Sequence, residues 1–268
     1  MAKPILAILY DFDKTLSTTD MQAYKLIPDL GMSPDEFWEK TGEFSAKTGA
    51  ERILSYMYMI MNTAKERGIK LTRKYLQECG KNIEYYPGVE DYFKRLNKYG
   101  EEHGVQVEHY LVSSGTLEIV EGSKIFKEFK KAYGCEFIYG DDGAPIWPKL
   151  AINFTQKTQF YFRIAKGAFE ANDDKSVNEK IEKKDELRVP YRNIVYLGDG
   201  MTDIACMTLV KKNGGNSIAV YSNEDSKNKV DEIKKDNRVN FIAEADYSKG
   251  KAIDNILKSI INQIELSN

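Results

Sequence analysis

Apolar residues run without a break from Ile5 to Tyr10 and stop at Asp11, with a second carboxylate at Asp13. A run of this kind predicts a strand covered on both faces, as in parallel sheets, and open sheets of such strands bind ligands beyond their carboxyl ends. The pattern recurs twice. Residues 105–112 form a second apolar run that ends in Ser113-Ser114-Gly115, and residues 194–197 form a third that ends in Gly198-Asp199-Gly200-Met201-Thr202-Asp203. Shorter strands are predicted at 135–139, 217–221 and 239–243. The fold class that follows is α/β, a three-layer Rossmann-like core built on a parallel sheet.

Between the strands the apolar spacing is helical. After Leu16, breaks at Pro28, at Gly31-Met32-Ser33-Pro34 and at Gly42 punctuate short helices. Ser33-Pro34-Asp35-Glu36 is a helix start, with a serine cap, proline at the first position and acids in the first turn. Ile53, Leu54, Met57, Tyr58, Ile60 and Met61 form a helical stripe over 50–64, read as packing, and 71–79 adds another helix. Residues 17–85 therefore make a small helical insert after the first strand, placed as a lid over the acids. Tyr86-Pro87-Gly88 returns the chain to the core and opens a helix running to Gly100. Residues 116–133 read as helix. Gly140-Asp141-Asp142-Gly143 reads as a hairpin turn, because a calcium loop counted from Asp141 would place Ile152 where glutamate is needed. A helix through 153–162 carries Lys157 near its start, residues 170–188 form an exposed helix or loop, and 251–266 form an amphipathic helix on the sheet.

Composition narrows the setting. The 268 residues suffice for one large domain with an insert, and a net charge of -2 gives no general basic field for nucleic acid. Three scattered cysteines without a CxxC pair suggest neither a disulfide framework nor a zinc site, and fit a cytoplasmic protein. The first apolar run is too short for a signal peptide, and no segment approaches the ~20 apolar residues of a membrane span. No membrane role is expected.

Each candidate motif has a structural and a chemical reading. Asp11 and Asp13 are either the polar turn of a helix cap, with Thr15 or Asp13 as the cap, or a site where two carboxylates need a cation, a shared proton or open water. Mg2+ suits such oxygens together with substrate phosphate. Ser113 and Ser114 either cap a helix or hold an anionic oxygen at a strand-to-helix turn. Lys157 opposes the dipole of its helix unless an anion lies at the same end. His103 and His109, the only histidines, have no partner at metal-ligand spacing and read as structural.

Taken in order, Asp11-Phe12-Asp13-Lys14-Thr15, Ser113, Lys157 and Gly198-Asp199-Gly200-Met201-Thr202-Asp203 closely resemble the four motifs of the haloacid dehalogenase-like hydrolase superfamily. The resemblance covers residues 1–16 and 86–225. The insert is similar to the family's C1 cap, and Leu111-Val112-Ser113-Ser114-Gly115 is most similar to the phosphoserine phosphatase branch. It implies a core of residues 1–16 and 86–268 and a cap of 17–85.

The resemblance further implies an enzyme that hydrolyses a small phosphorylated metabolite with Mg2+. Asp11 would be the nucleophile and Asp13 the general acid and base; Ser113, Ser114 and Lys157 would hold phosphate, with Thr15 ordering the first loop. Asp11, the Asp13 backbone carbonyl, Asp199 and Asp203 would hold the metal. Asp20 and Arg52 stand where phosphoserine phosphatases place the Glu and Arg that bind the amino acid, with Asp shorter by one methylene. Asp13 disfavours dehalogenase and phosphonatase chemistry, since those members lack an Asp there. The same intermediate could serve a phosphotransferase or mutase, and a non-catalytic phosphometabolite-binding protein would keep the fold.

Overall fold

The computed structural model describes residues 3–181 and 186–267. Its centre is a seven-stranded sheet in the order β4-β3-β2-β1-β5-β6-β7. The strands are β1 (Ile5–Tyr10), β2 (Gln106–Thr116), β3 (Lys131–Tyr139), β4 (Pro145–Leu150), β5 (Ile194–Gly198), β6 (Asn216–Tyr221) and β7 (Phe241–Glu244). All pairings are parallel except β3 with β4. Strand β1 is central, and Leu6 through Tyr10 are at most 1% exposed, the burial expected of an unbroken apolar run.

Helices α1 (Leu26–Asp29), α2 (Pro34–Thr48), α3 (Arg52–Glu66) and α4 (Arg73–Gly80) follow β1, and α5 (Val89–Glu102) returns the chain to the sheet. The Ser33 hydroxyl accepts from the Glu36 amide with Pro34 at the first position, so α2 starts where its cap sequence places it. The base of this helical stretch is tied to the sheet. Arg73 of α4 forks between Glu121 at 2.5 Å and Glu136 at 3.0 Å. Of the later helices, α7 (Lys157–Lys166) packs against α9 (Ile204–Lys212), and α11 (Ala252–Leu266) packs against α5.

Two expectations need correction. Residues 116–133 are not one helix: α6 spans only Leu117–Glu121, a single 3-10 turn covers Phe126–Glu128, and β3 begins at Lys131. The break falls at Gly122, where a Cβ would lie 1.7 Å from the Gln77 carbonyl oxygen of α4. Backbone there approaches backbone, and only glycine fits. Strand β2 does not end at residue 112 but continues through Ser113–Gly115, with a register shift against β3 between Val112 and Thr116. Irregularities of this sort re-aim side chains beside functional sites.

The turn at 140–143 does close a hairpin, with the Gly140 amide bonded to the Ala144 carbonyl at 2.8 Å. Of the polar stretch 170–188, α8 (Asp174–Asn178) is a short helix, and residues 182–185 lie outside the described residues. His109 is buried in an aromatic cluster, and His103 pairs with Glu265 at 2.8 Å. Among the described residues no helix is long and apolar enough to cross a membrane.

Candidate active site

Parallel pairing of β1 with both β2 and β5 puts the ends of all three apolar strands side by side. The Asp11 amide bonds to the Leu197 carbonyl at 2.9 Å, carrying the β1–β5 pairing one residue past the strand. Carboxylate oxygens of Asp11, Asp199 and Asp203 lie within 4.8 Å of one another. Lys157 enters from the first position of α7, and its ammonium donates to Asp11 Oδ1 and to Asp203 Oδ1, both at 2.8 Å. The same Asp203 oxygen accepts the Tyr196 hydroxyl at 2.6 Å. Asp203 and Tyr196 are fully buried and Lys157 is 1% exposed.

The two carboxylates answer the dipole conflict that Lys157 presents in the sequence. Burial alone would strip its proton, but Asp11 and Asp203 hold its pKa above the ordinary lysine value. One lysine does not balance three acids. Burial, opposed by Lys157 and reinforced by Asp203, pushes Asp11 up to about 6. Burial, Asp203 and Asp11 together push Asp199 up to about 8. Asp203 Oδ2 is buried without a partner, which is costly unless something else binds it. Crowded hard oxygens, excess negative charge and an orphaned carboxylate oxygen together fit a small divalent cation.

The turn after β1 wraps around the Phe12 carbonyl, which accepts from the Leu16 and Ser17 amides at 2.9 and 3.1 Å. Lys14 takes a left-handed backbone at φ 56, unusual for a side-chain-bearing residue, and pairs with Asp20 at 2.9 Å. Asp13 Oδ1 accepts from the Met21 amide at 2.7 Å, which fixes its orientation. Burial, Asp20 and Asp11 hold its pKa well above the usual carboxylate range. Thr15 is buried with an unpartnered hydroxyl, and its carbonyl accepts from the Tyr247 hydroxyl at 2.8 Å.

A cavity of about 340 Å³ opens over these groups. Asp11, Asp13, Lys157 and Asp199 form its floor, and Ser114 is on its wall. Asp20 and Arg52 also line it. Ser113, Thr15 and Asp203 are not on the wall: Ser113 is fully buried, and its oxygen accepts the Gly115 amide at 2.9 Å. The Ser114 hydroxyl is buried without a partner.

Three contributors escaped the sequence reading. Tyr196 sits inside an apolar strand, where its phenol is the single polar feature and the only available hint. Trp38 and Tyr56 line the cavity with their rings 5.9 Å apart, and the Tyr56 hydroxyl donates to the Ser114 carbonyl at 2.8 Å. Tyr56 precedes Met57 in the stripe read as packing. Met57 and Ile60 are indeed fully buried, whereas Ile53 of the same helix reaches the cavity.

No family model matches the chain. An uncharacterized protein of Borreliella burgdorferi is 28% identical over 278 residues, covering 94% of each chain. Among solved structures, a phosphoserine phosphatase captured as a phospho-aspartyl intermediate analogue aligns over 96% of this chain and 99% of its own, with 18% identity and a TM-score of 0.58. A substrate-bound phosphoserine phosphatase aligns over 97% and 98%, with 17% identity and a TM-score of 0.56. A haloacid dehalogenase family hydrolase of Salmonella enterica serovar Typhi aligns over 96% of this chain and 72% of its own, with 15% identity and a TM-score of 0.61. At these identities the likeness is one of architecture: the chain has the haloacid dehalogenase-like, phosphoserine phosphatase-like fold.

Proposed function

We propose that this chain is a phosphatase of the haloacid dehalogenase type that hydrolyses a small phosphate monoester through an aspartyl-phosphate on Asp11. The observation that carries the reading is the Lys157 ammonium held at 2.8 Å from both Asp11 and Asp203 at the floor of a cavity that Asp13 also faces. Residues 17–85 are the cap, and residues 1–16 and 86–268 are the core.

An Asp11 carboxylate oxygen forms a bond to phosphorus as the bond to the ester oxygen breaks, and Asp13 gives its proton to the departing alkoxide. Burial, Asp20 and Asp11 raise the Asp13 pKa, which favours the protonated form that can donate. Water then attacks the phosphorus of the aspartyl-phosphate, Asp13 takes a proton from it, and the bond to Asp11 breaks to release phosphate. Two modest steps replace one difficult displacement. Lys157 offsets charge on the transferring oxygens. Ser114 turns its unpartnered hydroxyl to one of them, and Ser113, which accepts from Gly115, keeps its own proton to donate. Thr15 orders the loop that carries both aspartates. Mg2+, held by Asp11, Asp199, Asp203 and the Asp13 carbonyl, would supply positive charge to the phosphoryl oxygens.

The test is phosphate release from a panel of phosphomonoesters, with and without Mg2+, by the wild-type protein and by Asp11→Asn. Metal-dependent release lost in the variant, with phosphoryl label that survives an acid quench on wild-type protein, is released by hydroxylamine and is absent from the variant, supports the reading. Isomerisation of an ester without net phosphate release points to a mutase. No turnover by folded, metal-loaded protein overturns catalysis and leaves a binding protein.

A further inference from the structure

We propose that the alcohol released from this site carries a second anionic group and no ammonium group; this rests on the phosphatase reading above. The charges of Asp20 and Arg52, which both line the cavity, carry the argument. Asp20 lines it but is already paired with Lys14 at 2.9 Å, so this carboxylate is neutralised by the protein itself. An ammonium group placed beside Asp20 would have to compete with Lys14 for it.

Arg52 is in the opposite state. It lines the same cavity, is exposed, and among the described residues has no carboxylate within ion-pairing distance. It also stands at the first position of α3, where a helix dipole disfavours a cation. The nearest acid in sequence, Glu51, is spent on capping: its carboxylate accepts from the Ile53 and Leu54 amides at 2.7 and 3.1 Å. Lys157 occupies the same unfavourable first position on α7, and there two buried carboxylates compensate it. Arg52 has the same electrostatic need with no ion-pair partner among the described residues to meet it, and it lines the cavity that receives the leaving group. A carboxylate or a second phosphate supplies the missing charge bidentately.

The remaining wall is neutral. Gln22 is 2% exposed, its amide nitrogen reaches Thr116 only at 3.5 Å, and its Oε1 has no partner, which suits a hydroxyl beside the second anion. The Trp38 and Tyr56 rings could attract a cation, but Arg52 shares their cavity and repels one. The substrate class is therefore a phosphorylated hydroxy acid or a bisphosphate of small size, rather than a phosphorylated amino acid or amino alcohol.

The experiment compares kcat/KM with Mg2+ for 3-phosphoglycerate, fructose 1,6-bisphosphate, glycerol phosphate, O-phosphoserine and phosphoethanolamine, with p-nitrophenyl phosphate as a general reporter. Expected is at least a tenfold preference for one of the two dianionic classes over glycerol phosphate, with O-phosphoserine behind 3-phosphoglycerate and phosphoethanolamine last; which dianion leads identifies the second anion as carboxylate or phosphate. In Arg52→Gln the ratio of the leading ester to glycerol phosphate falls about tenfold or more, mainly through KM, and Arg52→Lys recovers part of it. A lead for O-phosphoserine or phosphoethanolamine, or an unchanged ratio in Arg52→Gln, overturns the proposal while p-nitrophenyl phosphate turnover leaves the phosphatase intact. Absence of turnover on every ester, the reporter included, removes both.

Discussion

Tyr196 and Asp203, both fully buried beneath the cavity floor, are joined by a 2.6 Å hydrogen bond on the same carboxylate oxygen that Lys157 reaches at 2.8 Å. The phenol adds a donor without adding charge. It holds Asp203 in place, so that Lys157 stays shared between Asp203 and Asp11 instead of collapsing onto one of them. Tyr196→Phe is expected to lower kcat about tenfold with KM within about twofold, and to cost about 1 kcal/mol of stability. Steady-state kinetics beside urea unfolding will separate the two; a changed KM with unchanged kcat would contradict this role.

Among the described residues, Lys157 is the cation that ion-pairs within the cluster of Asp11, Asp199 and Asp203. Removing one partner of a buried ion pair costs on the order of 3–5 kcal/mol because the other charge is left unpaired. Lys157→Met should therefore unfold at lower temperature than wild type in EDTA, recover much of the difference in excess Mg2+, and lose at least 100-fold in turnover. Thermal unfolding that Mg2+ shifts no further in the variant than in wild type would speak against a shared electrostatic site.

Gly198 closes β5 directly beneath Asp203. A Cβ there would lie 2.4 Å from Asp203 Cγ, which has no room to retreat because the residue is fully buried. Gly198→Ala should displace Asp203 from both Lys157 and Tyr196, costing about 1–3 kcal/mol as overpacking does and most of the activity. Near-wild-type kcat in that variant would show that the contact is softer than the geometry implies.

His109 predicts the pH dependence of stability. Its Nε2 meets Asn97 Oδ1 at 2.9 Å and its Nδ1 meets the Tyr10 hydroxyl at 2.8 Å, and burial lowers its pKa from the ordinary 6.5 to about 3. Between those values the unfolded chain binds a proton that the folded one refuses. Stability from this group is therefore full above pH 6.5 and is lost as pH falls towards 3, by about 2 kcal/mol at pH 5. Asp11 and Asp199, raised in the fold, act in the opposite direction. The comparison of wild type with His109→Gln in saturating Mg2+ isolates the histidine: the variant should lose less stability between pH 7.5 and 5, and parallel curves would exclude the effect.

How much of this was legible in the sequence varies by residue. The uninterrupted run from Ile5 to Tyr10 marked the central strand because only a strand buried on both faces needs apolar side chains on both. The acids at Asp11, Asp13, Asp199 and Asp203 were legible for the same reason: they follow directly on such strands. Period-based reading failed at residues 116–133, where the helix stops because Gly122 meets the Gln77 carbonyl of α4, a contact between segments far apart in sequence.

The sequence by itself determined which strands end in chemistry and in what order, since strand burial and glycine turns are local properties of the chain. Only the tertiary structure decided which charges are spent and which are free. Lys157 and Arg52 are indistinguishable as cations at helix starts, yet one is locked between Asp11 and Asp203 and the other lines the cavity with no ion-pair partner among the described residues. Asp20 was legible as a carboxylate near the site, but its pairing with Lys14 depends on a left-handed turn. Coulomb interactions act through a few ångströms of space and not along the chain, so pairing partners emerge only when distant segments are brought together.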